Sequence, residues 1–283
     1  MGQLLVGQLL NGAIVGTLYG IIALGVTLTF GIVNFALGAF MMLGCYMAWY
    51  FTDGVGMPYP VAVVCAVAVT SFAGLVADQT LFRFTRNNLV NGLLVSIGLI
   101  AVMEGAALLL WTSTPKNMNY VLPGVFVFAG LVVPKMKLLV FFVLLGVILA
   151  TYAALTRTWI GRAAYAYAQN PEAAELMGVR TSLLQSGVVV YSTGLAGLGG
   201  ALYASLYSID PTLGAVYILK AVEAAILAGI GSVMGSLFGG VLLGITEGVG
   251  SIYLPIAFRD AYGLVFLVAI LLFKPAGLFA GRK

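Results

Sequence analysis

Apolar residues run along this chain in long unbroken stretches with short polar punctuation between them. Nine stretches stand out: residues 4–30, 34–51, 60–81, 89–111, 137–156, 183–207, 213–230, 236–254 and 261–273. Most approach the roughly 20 residues that carry a helix across the hydrocarbon of a bilayer. The runs are continuous, whereas membrane β-strands alternate in segments of about ten residues. The pattern predicts an all-α polytopic membrane protein of about 8–9 transmembrane helices, one membrane domain spanning residues 1–283. Two connections decide between eight and nine. The turn at 31–38 carries no charge, and the turn at 231–235, G-S-V-M-G, is also apolar. Either could be re-entrant, because irregular backbone survives at membrane depth where protein or a cavity covers it.

Glycine marks where helices approach. Gly12, Gly16 and Gly20 stand four apart and share one face of the first stretch, and such faces bring helix backbones close together. Residues 228–244, A-G-I-G-S-V-M-G-S-L-F-G-G-V-L-L-G, are richer still. No lysine follows a G-x-x-x-x-G there, so a phosphate-binding loop is excluded. Gly229, Gly231 and Gly235 are read as a sharp turn and close packing. The loop at 112–136 contains Pro115, Pro123 and Pro134. Its 121–133 portion is expected to form a short hairpin or to lie at the interface.

The longest polar stretch is 157–182, with Arg157, Arg162, Glu172, Glu175 and Arg180. It contains a short helix marked at both ends. Asn170 can cap the first free amides, and Pro171 suits the first helical position. Glu172 and Glu175 favour the positive end of the helix dipole. Gly178 can take the left-handed conformation that closes a helix. Two turns fall short of the roughly 12–15 residues that hold a helix in water, so the segment requires external support, expected from a partner.

Composition narrows the class. The chain is 62% hydrophobic and 8% charged, with a mean hydropathy of +1.11. Soluble domains carry about 25% charged residues. Histidine is absent, and Cys45 and Cys65 both lie in apolar runs. That leaves no Ser/His/Asp set and no metal-ligand spacing, so the chain is not read as an enzyme. The net charge of +4 is scattered over loops and reads as membrane orientation, not nucleic-acid binding. With the N-terminus outside, Arg83, Arg86, Arg157, Arg162, Arg180, Lys274, Arg282 and Lys283 face the cytoplasm. Lys116, Lys135, Lys137 and Arg259 face out. No cleavable signal is expected, since the first ten residues lack a basic region.

Four acids fall within stretches or at their ends: Asp78, Glu104, Glu223 and Glu247. A mid-membrane charge costs about 2.5–3.5 kcal/mol on insertion scales, so such groups face the bundle interior or a water path. Lys220 and Glu223 share a helix face and are expected to pair structurally. Glu104 and Glu247 have no partner nearby in sequence; each reads as a helix–helix hydrogen bond or a path residue. Asp78 is close enough to Arg83 to be structural. Asn34 reads as a cap of the second stretch or a path-lining group.

Several segments resemble the branched-chain amino acid ABC transporter permeases. They are N-G-A-I-V-G-T-L-Y-G-I-I-A-L-G-V-T-L-T-F-G-I-V-N-F-A at 11–36, N-P-E-A-A-E-L-M-G-V-R-T at 170–181 with A-G-L-G-G-A-L at 196–202, G-I-G-S-V-M-G-S-L-F-G-G-V-L-L-G at 229–244, and F-K-P-A-G-L-F at 273–279. The chain is similar to the first permease subunit of that family. The resemblance implies a type II ABC importer fold in the bacterial inner membrane. It implies a second homologous permease subunit, two cytoplasmic ATPase subunits and a periplasmic solute-binding protein. ATP and magnesium would sit in the ATPases, with no cofactor in this chain. It makes Asn170, Pro171, Glu172, Glu175, Leu176, Met177 and Gly178 a coupling helix that docks on an ATPase. Family members often carry His-Gly-Asp or His-Gly-Glu after N-F-A, where this chain has Leu37-Gly38-Ala39. That departure argues for an apolar solute over urea or a small amide. The competing readings are an ion-coupled secondary transporter, for which Glu104, Glu223 and Glu247 would serve, and a channel or structural subunit.

Overall fold

The apolar runs fold as helices because a helix satisfies its own backbone polar groups where no water can. The computed structural model describes residues 2–29, 34–85, 88–119, 122–128, 131–229, 231–253, 258–275 and 277–279. The expected turn at 31–33, Arg86, Arg282, Lys283 and most of the 255–260 connection lie outside the described residues or side chains. The helices are α1 (Gly2–Leu28), α2 (Leu37–Trp49), α3 (Tyr59–Thr80), α4 (Leu89–Trp111), α5 (Lys135–Arg157), α6 (Trp159–Gln169), α7 (Pro171–Leu176), α8 (Thr181–Ala204), α9 (Leu213–Ala228), α10 (Val233–Tyr253) and α11 (Arg259–Phe273). Between α4 and α5 lies an antiparallel hairpin, β1 (Val125–Phe128) and β2 (Leu131–Pro134), with Val125 opposite Pro134. The hairpin expected within 121–133 is present.

Two glycine seams set the architecture. In the first, α1 lies antiparallel on α10. A Cβ on Gly16 would stand 2.5 Å from Val241 Cα, and one on Gly12 would stand 2.5 Å from the Gly244 carbonyl oxygen. The face predicted from Gly12, Gly16 and Gly20 is thus a backbone-to-backbone contact. In the second seam, α8 packs against α2 and α3. Gly197 faces Thr70, Gly74 faces Thr193, and a Cβ on Gly44 would stand 2.4 Å from the Gly197 carbonyl oxygen. The core lies where these seams meet, around Leu18, Ile21, Ile22, Leu37, Phe40, Met41 and Tyr46, all nearly inaccessible.

Among the described residues, six helices are long and apolar enough to span a membrane: α1, α3, α4, α5, α8 and α10. The second and seventh expected spans are shorter than the sequence suggested, while the ninth, expected over 261–273, begins two residues earlier as α11. Helix α2 starts at Leu37, not Asn34, and has 13 residues before a single π-helical turn, Tyr50–Gly54. Helix α9 has 16 residues and α11 has 15. Most of α2 and α9 is buried, so their apolar character serves the interior. Helix α4 is the opposite case: Leu94, Val102, Leu109 and Leu110 are exposed, as suits a face turned to lipid.

Loops that the alternation of spans puts on one side do meet. Asn119 donates from its backbone and side-chain nitrogens to Asp53, each at 3.3 Å. Lys116 and Ile209 exchange backbone hydrogen bonds of 2.9 and 2.8 Å. At the opposite end, Leu278 and Phe279 donate to the carbonyls of Leu227 and Ala228, fixing the tail beneath the α9–α10 turn.

Candidate functional site

Two places carry the polar chemistry. The first is at the end of the molecule away from the Asp53–Asn119 contact, where α5 runs into α6 and α7. Thr158 caps α6, its hydroxyl accepting from the Gly161 N–H at 3.3 Å. Asn170 then caps α7, Oδ1 accepting from the Ala173 N–H at 3.0 Å. Pro171 holds the first position, and Gly178 closes the helix at φ +85°. The capping read from the sequence is therefore present. Helix α7 is braced by its own chain, with Ala174 buried against it at 3% exposure and α6 and α8 as its neighbours. What stays uncovered is the tip: Leu176 and Met177 are 89% and 86% exposed, beside the exposed Glu172 and Glu175. The tip offers two apolar knobs, with two carboxylates on the same short helix.

The second place is buried between α1, α9 and α10. Lys220 Nζ lies 2.8 Å from Glu247 Oε1 and 3.5 Å from Glu223 Oε2. The Tyr19 hydroxyl donates to Glu247 Oε2 at 2.9 Å. Gly263 of α11 approaches both carboxylates closely; a Cβ there would stand 3.1 Å from Glu223 Oε2. Aromatic rings adjoin the cluster, with Tyr217 between Tyr19 and Tyr203 at centroid distances of 5.6 and 5.0 Å. The Lys220–Glu223 pair expected from sequence is there, but the shorter contact is with Glu247. Glu247 thus belongs to a helix–helix tie.

The other candidates are dispersed. Asn34 Oδ1 accepts from the Ala36 N–H at 3.0 Å, an entry turn into α2, while its buried Nδ2 has no partner among the described residues. Glu104 sits alone on α4, with Oε1 lacking a hydrogen bond among the described residues. Gly229 and Gly231 form the α9–α10 turn at φ +94° and +95°. Gly235 takes part in a helix start, its N–H donating to Ser232 Oγ at 3.0 Å. Asp78 is fully buried and accepts from Ser186. Leu37, Gly38 and Ala39 are buried in the core, and a Cβ on Gly38 would stand 2.0 Å from the Gly214 carbonyl oxygen.

Sequence reasoning missed Tyr19 and the whole of α6. A signal for α6 existed in Thr158 ahead of a run with Ala163, Ala164, Ala166 and Ala168; for Tyr19 the only hint was a polar atom in an apolar helix. Among the described residues, no group of three or more Cys, Asp and Glu side chains is placed to hold a metal ion.

The family model and two similar relatives point to one permease family. The family described as "Branched-chain amino acid transport system / permease component" matches residues 8–274. The high-affinity branched-chain amino acid transport system permease protein BraD of Pseudomonas aeruginosa is 32% identical, covering 96% of this chain and 94% of that protein. The permease protein LivH of Escherichia coli, from a system of the same description, is 28% identical, with coverage of 96% and 94%. Among solved structures, PsaBC from Streptococcus pneumoniae in complex with Fab matches with a TM-score of 0.52 at 12% identity, covering 98% of this chain and 93% of that one. At that identity the likeness is one of fold.

Proposed function

From the premise that this chain belongs to the branched-chain amino acid transport permease family, we propose that it forms half of the path of an ATP-driven importer for branched-chain or similarly apolar amino acids. Its companions in this reading are a second, homologous permease subunit, two cytoplasmic ATPases and an external solute-binding protein. The N-terminus lies outside and the C-terminus in the cytoplasm, in line with the distribution of Lys and Arg. Helix α7 is the contact through which an ATPase moves this chain.

One observation carries the coupling assignment. A six-residue helix is too short to persist in water alone, yet α7 is capped, closed and braced so that Leu176 and Met177 project almost fully into solvent. Large exposed apolar side chains on a rigid mount suit a groove on another protein. The ion-coupled alternative loses support, because Glu223 and Glu247 are tied to Lys220.

The test is a Glu172→Arg, Met177→Asp double variant in the full complex in liposomes. Solute-stimulated ATP hydrolysis should fall to the unstimulated level while the chain still reaches the membrane in normal amount. Unimpaired transport by that variant would remove the docking assignment.

A further inference from the structure

We propose that the cleft between the start of α1 and the β-hairpin binds the phosphate headgroup of an anionic phospholipid, with Lys137 as its cationic contact. The cleft has a volume of about 420 Å³ and is lined by Gln8, Asn11 and Lys137 on its polar side. A water molecule takes about 30 Å³ in the liquid, so the space suits a group much larger than one water.

Lys137 is half-buried in the first turn of α5. Its Nζ donates to Asn11 Oδ1 at 2.7 Å and lies 5.9 Å from the centre of the Tyr207 ring. An ammonium has three donors, so Asn11 leaves two for a ligand. Among the described residues, no carboxylate lies within ion-pair distance of Lys137. A partly desolvated cation without a counter-charge is costly, and an arriving anion offsets that cost. The amide groups of Gln8 and Asn11 supply further N–H donors to phosphate oxygens.

The walls distinguish a lipid from a free anion. Leu4, Leu10 and Val132 are exposed, at 66%, 40% and 62%, and they line the same cleft. A free phosphate has no use for an apolar wall, whereas an acyl chain leaving the headgroup needs one. The cleft also opens between two helices that are apolar enough to span a membrane, near the start of α5. Lysine near the end of a span reaches for the headgroup layer.

The test uses the full-length chain in mild detergent, titrated with phosphatidylglycerol or phosphatidylcholine and read by native mass spectrometry. One phosphatidylglycerol should be retained in preference to phosphatidylcholine. A juxtamembrane Lys contributes enough that Lys137→Met should weaken retention by about fivefold. Lys137→Arg should keep it. Gln8→Leu, which spares the ammonium, should weaken it by a smaller factor, so the proposal stays testable if Lys137→Met misfolds. Equal retention by wild type and Lys137→Met, or equal retention of the two lipids, would overturn the proposal. So would displacement of the lipid by inorganic phosphate, which would make the cleft a site for a free anion.

Discussion

Neutralising Glu247 tests the buried tie directly. Glu247→Gln keeps the side-chain size and an oxygen for the Tyr19 hydroxyl but removes the charge that faces Lys220 at 2.8 Å. With an effective dielectric of about 20, Coulomb attraction at that separation is about 6 kcal/mol, and the Glu223 contact at 3.5 Å adds about 5 kcal/mol. Neither figure is a net stability, since each charge also lost its hydration on burial. Removing one partner of a buried pair costs about 3–5 kcal/mol. Lys220 keeps Glu223 in this variant, so the expected cost is about 3 kcal/mol, at the low end of that range. Lys220→Met should cost about 5 kcal/mol, because both carboxylates lose their cation. The double variant should cost less than the sum, by about 2–3 kcal/mol, since the second change removes a charge already stranded by the first. Unfolding of the purified chain in mixed micelles, followed by circular dichroism as the SDS fraction rises, gives the three values. If the single costs simply add to within about 0.5 kcal/mol, the two charges are not energetically joined and the tie has no standing.

Two further outcomes check the architecture. Gly16→Val should sharply reduce folded protein in size-exclusion chromatography, because its Cβ would stand 2.5 Å from Val241 Cα and 2.6 Å from the Gly240 carbonyl oxygen; Gly146→Ala, with nothing within 4 Å, should be neutral or slightly stabilising. Cysteines introduced one at a time at Val55 and Thr114, in a chain with Cys65 replaced by Ala and the buried Cys45 kept, should react with a membrane-impermeant maleimide on intact cells, while one at Met177 should react only after permeabilisation. The reverse labelling would invert the proposed orientation.

Local signals were legible and distant ones were not. The cap at Asn170, the proline after it and the glycine at 178 belong to one short segment, so residue chemistry alone predicts helix α7. Gly12, Gly16 and Gly20 declare a close-packed face, but a face does not name its partner. Only the fold sets it against Gly240 and Gly244. For the same reason Glu247 seemed partnerless: Lys220 stands on the preceding helix, and Tyr19 near the other end of the chain. Helix lengths misled for a different cause. An apolar run reports burial in lipid or burial in protein equally, and α2 and α9 are buried in protein. Helix α6 was hidden because Arg162 and its place within a charged stretch made a helix look like a polar loop.

The packing also indicates how a push on α7 would travel. Only residues 177–180 separate α7 from α8, and Val179 donates back to the Ala174 carbonyl at 3.1 Å, so the joint is tight. Beyond it, α8 is not free to bend at its far half. Gly197 and Gly200 bring its backbone against Gly44 and Met41 of α2, and Gly197 also meets Thr70 of α3. Such contacts have no slack, because a close-packed backbone interface resists small displacements. A displacement entering at Leu176 and Met177 is therefore carried by α8 with α2 and α3 as one body. The α1–α10 seam, with the Lys220 tie holding α9 to α10, forms the other body. The two are joined where α2 meets α9, a Cβ on Gly38 standing 2.0 Å from the Gly214 carbonyl oxygen, and where α8 meets α1, a Cβ on Gly199 standing 2.9 Å from Ile21 Cγ2. A push on α7 would therefore reach α1 and α9 through these close contacts and not through a loose seam.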